Sequence, residues 1–241
     1  MKKTFVFVIL VVAVLLCGCK KKVDMPDIPQ VNEPAVEESD VIIKDDIFSE
    51  TTDFDIGVSA EVYITAPKVE APEYGENVDK LNQLFEMCAD TVKNEYFHDV
   101  SIGESSEGAA ATSRMLTYDV YTAKDGYVSV LLKITSSIAG GVHPTEAYRC
   151  ISYDLKEGKL LSLADVVGED KVDSVKALII DRMKKTPEKY YTAEDDALDE
   201  IDISYSFLEK DDIIYIVIDE YAIAPRSEGV QIFEINKGDI G

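Results

Sequence analysis

The chain has 241 residues, with 24 Lys+Arg against 47 Asp+Glu, two histidines and no tryptophan. A formal charge of −23 argues against a nucleic-acid binder, which needs clustered Lys and Arg to neutralise phosphates. The length suits one medium domain or two small ones.

Lys2 and Lys3 precede the apolar run from Thr4 to Leu16. That run is shorter than the roughly 20 residues of a membrane span, so residues 1–18 read as a signal peptide. Leu16-Cys17-Gly18-Cys19 resembles a bacterial lipobox. The resemblance implies cleavage before Cys19, diacylation of its sulfur, and a protein anchored by lipid to the extracytoplasmic side of the cell membrane. An uncleaved anchor is the alternative. Lys20 to Lys22 would add attraction to anionic head groups. Removing residues 1–18 takes away Lys2 and Lys3 and leaves 22 basic against 47 acidic residues, a formal charge of −25.

Residues 19–57 read as an acidic tether punctuated by Pro26, Pro29 and Pro34, with little to build a core. About 35 flexible residues span roughly 30–35 Å r.m.s.. Val41-Ile42-Ile43 and Ile47-Phe48 at its end suit a short strand or a docking segment.

From Val58 the pattern becomes that of a folded domain. Glu61–Ala66 reads as a strand ended by Pro67. Val78, Leu81, Leu84, Phe85, Cys88 and Val92 recur at three- and four-residue steps, one face of a helix with Asn77 as its N-cap. Gly103–Ser113 is small and polar, a loop. Leu116–Tyr121 and Tyr127–Ile134 flank Lys124-Asp125-Gly126, a tight hairpin turn. Ser136–Pro144 is a glycine-bearing connection, Tyr148–Leu155 a strand, and Glu157-Gly158-Lys159 a turn. Val172, Val175, Leu178, Ile179 and Met183 mark a second amphipathic helix. Ser204–Leu208, Ile213–Ile218 and Val230–Ile235 read as strands, the middle one apolar on both faces. Helices without strict β–α alternation point to an α+β fold, with a largely antiparallel sheet and two main amphipathic helices. Two closely packed subdomains, 58–145 and 146–241, fit the same pattern.

Signals for chemistry are sparse. No zinc-protease, dinucleotide, P-loop or nucleophile-elbow motif occurs, and neither a metal nor another cofactor is expected. His98 suits the end of the first helix, where a cation is favourable. His143 lies near Ser136 and Ser137 in sequence, but neither serine has an orienting acid. The acids from Glu194 to Asp202 lack the glycine of a calcium loop and read as a solvated face. Cys88 and Cys150 are either a disulfide, which an exported protein permits, or two buried free thiols.

Ala60–Phe85, Ser136–Val167 and Asp211–Ile235 together resemble the extracytoplasmic domain pair of RsiV-type anti-sigma factors and PdaC-type deacetylases. The most specific pieces are Gly140-Gly141-Val142-His143-Pro144, followed by Asp154-Leu155-Lys156-Glu157-Gly158-Lys159, and Tyr221-Ala222-Ile223-Ala224-Pro225, followed by Gly229-Val230. The resemblance implies a PdaC-like N-terminal and an RsiV-like C-terminal subdomain. Only Met1–Lys3 precede the apolar run and no deacetylase motif follows, so the sensing or binding half alone is expected, not an enzyme. The implied ligand is a lysozyme or another cationic protein, or a peptidoglycan fragment, bound as sensor, decoy or inhibitor. Pro225 and Gly229 shape a connection between two strands, and Tyr221, Arg226 and His143 form a candidate binding surface. A carboxylate-based carbohydrate-active enzyme and an envelope scaffold remain as alternatives.

Overall fold

The alternation of buried Ala60, Val62 and Ile64 with exposed Glu61 and Tyr63 sets the face on which the first layer is built. In the computed structural model, which describes residues 39–105, 110–141, 143–194 and 196–241, these residues lie in β2 (Ser59–Glu70). β2 pairs antiparallel with β1 (Ile42–Asp53) and in parallel with β3 (Thr112–Lys124). The parallel step is made by α1 (Glu76–Ser105), which crosses the sheet between them. β4 (Tyr127–Ile138), β5 (Thr145–Asp154) and the two-residue β6 (Lys159–Leu160) continue antiparallel, in the order β1-β2-β3-β4-β5-β6. Asp125 (φ 57) and Gly126 (φ 74) supply the left-handed pair that the β3–β4 hairpin requires.

Leu81, Phe85, Ala89, Val92 and Tyr96 of α1 are buried against this sheet. Each large side chain among them contributes about 1.5–3 kcal/mol by leaving water. The helix runs past the loop expected from Gly103 onward. Gly103 is buried against the Phe54 ring, and a Cβ there would overlap that ring, so the glycine serves close packing.

The second layer begins after β6. A short helix α2 (Leu163–Val167), capped by a Ser162–Asp165 box, leads to α3 (Val172–Met183). α3 packs Val175, Ile179 and Met183 on a separate antiparallel sheet of β7 (Phe207–Lys210), β8 (Ile213–Ile218) and β9 (Gln231–Asn236). The fold is thus α+β with a largely antiparallel architecture. Leu131, Leu208 and Val217 join the two sheets on the face of the first that α1 leaves open.

Three expectations are corrected. The tether does not extend to residue 57, because Ile42–Asp53 is strand. Backbone pairing to β2 carries it, Ile43 and Phe48 reach the core, and Thr52 Oγ1 lies 2.7 Å from Tyr96 OH. The subdomain boundary at 145/146 falls inside the first sheet, since β5 pairs with β4 from Thr145 onward. Asn77 is no cap: α1 begins at Glu76, and Asn77 Nδ2 donates instead to Leu155 O at 2.9 Å. Cys19 and the lipobox lie outside the described residues. Among the described residues no helix is long and apolar enough to cross a membrane.

Candidate functional site

Both sheets turn at the same end. The β3–β4 hairpin and the β7–β8 turn lie together there, with Lys124 Nζ 3.3 Å from the Asp211 carboxylate. The N-terminal segment enters at this end too. Ser39 Oγ lies 2.6 Å from Ala123 O, and the Asp40 carboxylate accepts from Tyr74 OH at 2.5 Å and from Asp125 N–H at 2.7 Å. β4 has 12 residues; at about 3.3 Å each they place its other end roughly 36 Å away.

At that far end two loops distant in sequence meet. Residues 139–144 link β4 to β5, and residues 219–230 link β8 to β9. The Arg226 guanidinium donates to Pro144 O, lies 3.6 Å from the Glu220 carboxylate, and sits 6.0 Å from the Tyr221 ring centroid. His143, Pro144, Glu146, Glu220, Arg226 and Ser227 line an open cleft of about 420 Å³. The three residues expected from sequence as a binding surface are therefore neighbours: His143 and Arg226 line the cleft, and Tyr221 lies against Arg226.

Glu146 and Glu220 carry the cleft's negative charge, and sequence reading missed both. Lys133 Nζ lies 2.9 Å from Glu146, and Tyr148 OH donates to it at 2.7 Å. The Lys133 and Tyr148 hydrogen bonds hold the Glu146 carboxyl below its ordinary value, more strongly than burial raises it. The only local signal was position: Glu146 follows His143-Pro144, and Glu220 precedes Tyr221.

Tyr221 is exposed and adopts φ 63, a left-handed conformation that costs a non-glycine residue about 1–2 kcal/mol. Gly229 closes the same loop at φ 64, as expected of a shaped connection.

A second cleft, of about 540 Å³, opens on the α1 side of the same end. Its floor includes Ile134, Ile138 and Ala147, and Arg114, Arg149 and His143 stand around it. Arg114 is committed to α1, with Nε 2.8 Å and Nη2 3.1 Å from the two Asp99 oxygens and Nη1 2.9 Å from Glu95.

The cysteines stay apart, and the candidate disulfide is corrected: both thiols are free. Cys88 packs on the α1 face of the first sheet, whereas Cys150 points to the opposite face with Leu131 and Leu208. The sheet itself separates them. Among the described residues no group of three or more His, Cys, Asp or Glu is placed to hold an ion. Asp202 instead accepts the Ser204 N–H at 2.9 Å, an ordinary turn.

No family model matches the chain, and no curated protein does. Solved structures do. A DUF3298-family protein from Bacteroides fragilis aligns at TM-score 0.54 and 12% identity, covering 83% of this chain and 92% of its own. Another from Pseudomonas aeruginosa aligns at TM-score 0.56 and 15% identity, with the same coverages of 83% and 92%. The fold is that of DUF3298-family proteins. At these identities the DUF3298 likeness fixes the layer arrangement.

Proposed function

We propose that this chain is a lipid-anchored extracytoplasmic binding protein of the RsiV/PdaC type, whose far-end cleft receives a cationic protein such as a lysozyme. The observation that carries the reading is the meeting of loops 139–144 and 219–230 in one open cleft, at the end opposite Ser39. The formal charge of −25 left once residues 1–18 are removed steers cationic partners by its long-range field. The conformation of Tyr221 supports the same reading, because backbone strain persists where a site needs it.

The carbohydrate-active alternative needs a carboxyl raised in pKa to act as general acid. Asp40, Glu146, Asp165 and Asp202 are all displaced the other way, toward the ionised form. None of these four is therefore poised as that general acid.

Titrating the full chain in detergent with a lysozyme tests the reading. Binding should be strong at low ionic strength and weaken steadily with salt. Its absence at low salt, or a response to chitooligosaccharide alone, would overturn the cationic-protein reading.

A further inference from the structure

On the α1 side of the far end, the sheet carries its side chains in a definite order. β4 and β5 lie in register there, with Leu132 opposite Arg149, Ile134 opposite Ala147 and Ser136 opposite Thr145. Alternate residues of a strand share a face, so these pairs form successive rows, and Ile138 makes the last. Leu132 is buried in the same core as Leu81 and Phe85 of α1. Arg149 and the rows beyond Leu132 line the cleft of about 540 Å³. Along the cleft the order is a cation, an apolar pair, a hydroxyl pair and then Ile138, which is 55% exposed.

The two arginines of this cleft differ. Arg114 is engaged by Asp99 and Glu95 and donates to Ser136 Oγ as well. Arg149 is exposed. Among the described residues it makes one hydrogen bond, from Nη1 to Tyr148 O at 2.8 Å, and no ion pair. Its Nε and Nη2 stay available as the planar fork that takes a carboxylate through two bonds. The one acid of the lining, Glu95, is held by Arg114 at 2.9 Å. Arg149 thus stands beside an apolar floor as a positive charge without a counter-ion.

We propose that this cleft binds a short peptide by its free C-terminal carboxylate. Arg149 receives the carboxylate, one aliphatic side chain lies on Ile134 and Ala147, and another lies on Ile138. The hydroxyls of Ser136 and Thr145 between them bond the polar middle of the ligand. A fatty acid fits less well, because its unbroken tail would strip water from the hydroxyl row and give it no partner. Ile134 and Ile138 are about 13 Å apart at roughly 3.3 Å per residue, so an extended ligand covers that distance in about four steps. The cleft's volume lies within the usual range of small-ligand sites. A free amine at the other end leaves the peptide without net charge, so the protein's negative field does not repel it. This goes beyond the cationic-protein reading, whose cleft lies on the opposite face with Glu146.

The probe is the pentapeptide Leu-Ala-Ser-Ala-Leu with both termini free. Its first, third and fifth side chains match the rows at Ile138, at Ser136 and Thr145, and at Ile134 and Ala147. Titration calorimetry on the full chain in detergent compares it with its C-terminal amide and with octanoate. The free acid should bind at least about tenfold more tightly than the amide, the strength of a charge-assisted hydrogen bond. It should also bind more tightly than octanoate, which keeps the carboxylate but has no polar middle. Arg149→Met removes an exposed charge and keeps a long side chain. In that variant acid and amide should bind alike, at the affinity the amide shows for wild type. Ile138→Ser should weaken the acid several-fold. Equal binding of acid and amide to wild type would overturn the proposal. So would an undiminished preference for the acid in Arg149→Met, tighter binding of octanoate than of the peptide, or no binding at millimolar peptide.

Discussion

The hydroxyls of Ser129 and Ser152 lie 3.1 Å apart in the buried joint between the two sheets. Ser129 Oγ also accepts Glu209 N–H at 2.9 Å, and Ser152 Oγ donates to Phe207 O at 3.3 Å. Two small hydroxyls thus let β7 approach the first sheet while its backbone groups keep partners. Ser129→Ala leaves the Glu209 N–H without its acceptor and should cost about 1–3 kcal/mol. For a chain of this size that lowers Tm by about 2–4 °C per kcal/mol. Differential scanning calorimetry checks it, and an unchanged Tm would mean that water replaces the hydroxyl.

Arg114 and Asp99 fasten the last turns of α1 to β3 through two parallel bonds, with both side chains largely withdrawn from solvent. A bidentate charged pair in that setting is worth more than a surface pair. A double-mutant cycle with Arg114→Ala and Asp99→Ala should give a coupling of about 1–3 kcal/mol in urea unfolding. A coupling near zero would show that Glu95 and Ser136 hold Arg114 by themselves.

Burial, reinforced by the charge of Asp219, pushes the Cys150 thiol up to about 12, and burial raises Cys88 as well. The thiolate is the reacting species. Iodoacetamide at pH 8 should therefore leave Cys150 unmodified in the native chain and modify Cys88 slowly. After denaturation without reductant, peptide mapping should find both alkylated. Recovery of a Cys88–Cys150 linked peptide would contradict the placement of the two on opposite faces of the sheet.

These thiols also mark what was legible beforehand. The stripe from Val78 to Val92 and the Asp125-Gly126 turn announced themselves, because each is a local pattern with one geometric solution. The opposed faces of Cys88 and Cys150 follow from strand parity and sheet topology, which no local pattern fixes. β1 was missed in part because its acids resemble those of a tether, whereas its stability comes from backbone pairing to β2. Arg226 and Pro144 are 82 residues apart in sequence. Their loops were each readable as shaped connections, but their meeting depends on how the two sheets stack at the Ser129–Ser152 joint.

The Lys133–Glu146 pair makes part of the stability depend on pH. The folded carboxyl titrates below its ordinary value of 4.5, chiefly through the Lys133 hydrogen bond. Its contribution is therefore complete above about pH 4.5 and is lost as pH falls through the lower folded value. Lys133 is raised by the same bond, so its share is lost only as pH rises past its own folded value, above 10.5. Glu146→Gln should flatten the acid side of a Tm-versus-pH curve and leave its shape from pH 6 to 8 unchanged. An identical acid limb in both proteins would remove Glu146 from the linkage.

Tyr221 separates a binding role from a structural one. Its left-handed backbone costs about 1–2 kcal/mol, which glycine would relieve. Glycine in turn loses about 0.5–1 kcal/mol more conformational freedom on folding. The exposed ring contributes little burial and one contact with Arg226. Tyr221→Gly should therefore leave the unfolding free energy within about 1 kcal/mol of wild type. If the far-end cleft binds a cationic protein, the same change should weaken binding several-fold, and Arg226→Ala should act in the same direction through loss of the bond to Pro144 O. A residue kept for the shape of its loop alone would behave in the opposite way, with binding intact after Tyr221→Gly. Paired urea titrations and lysozyme isotherms on the two variants decide between these outcomes.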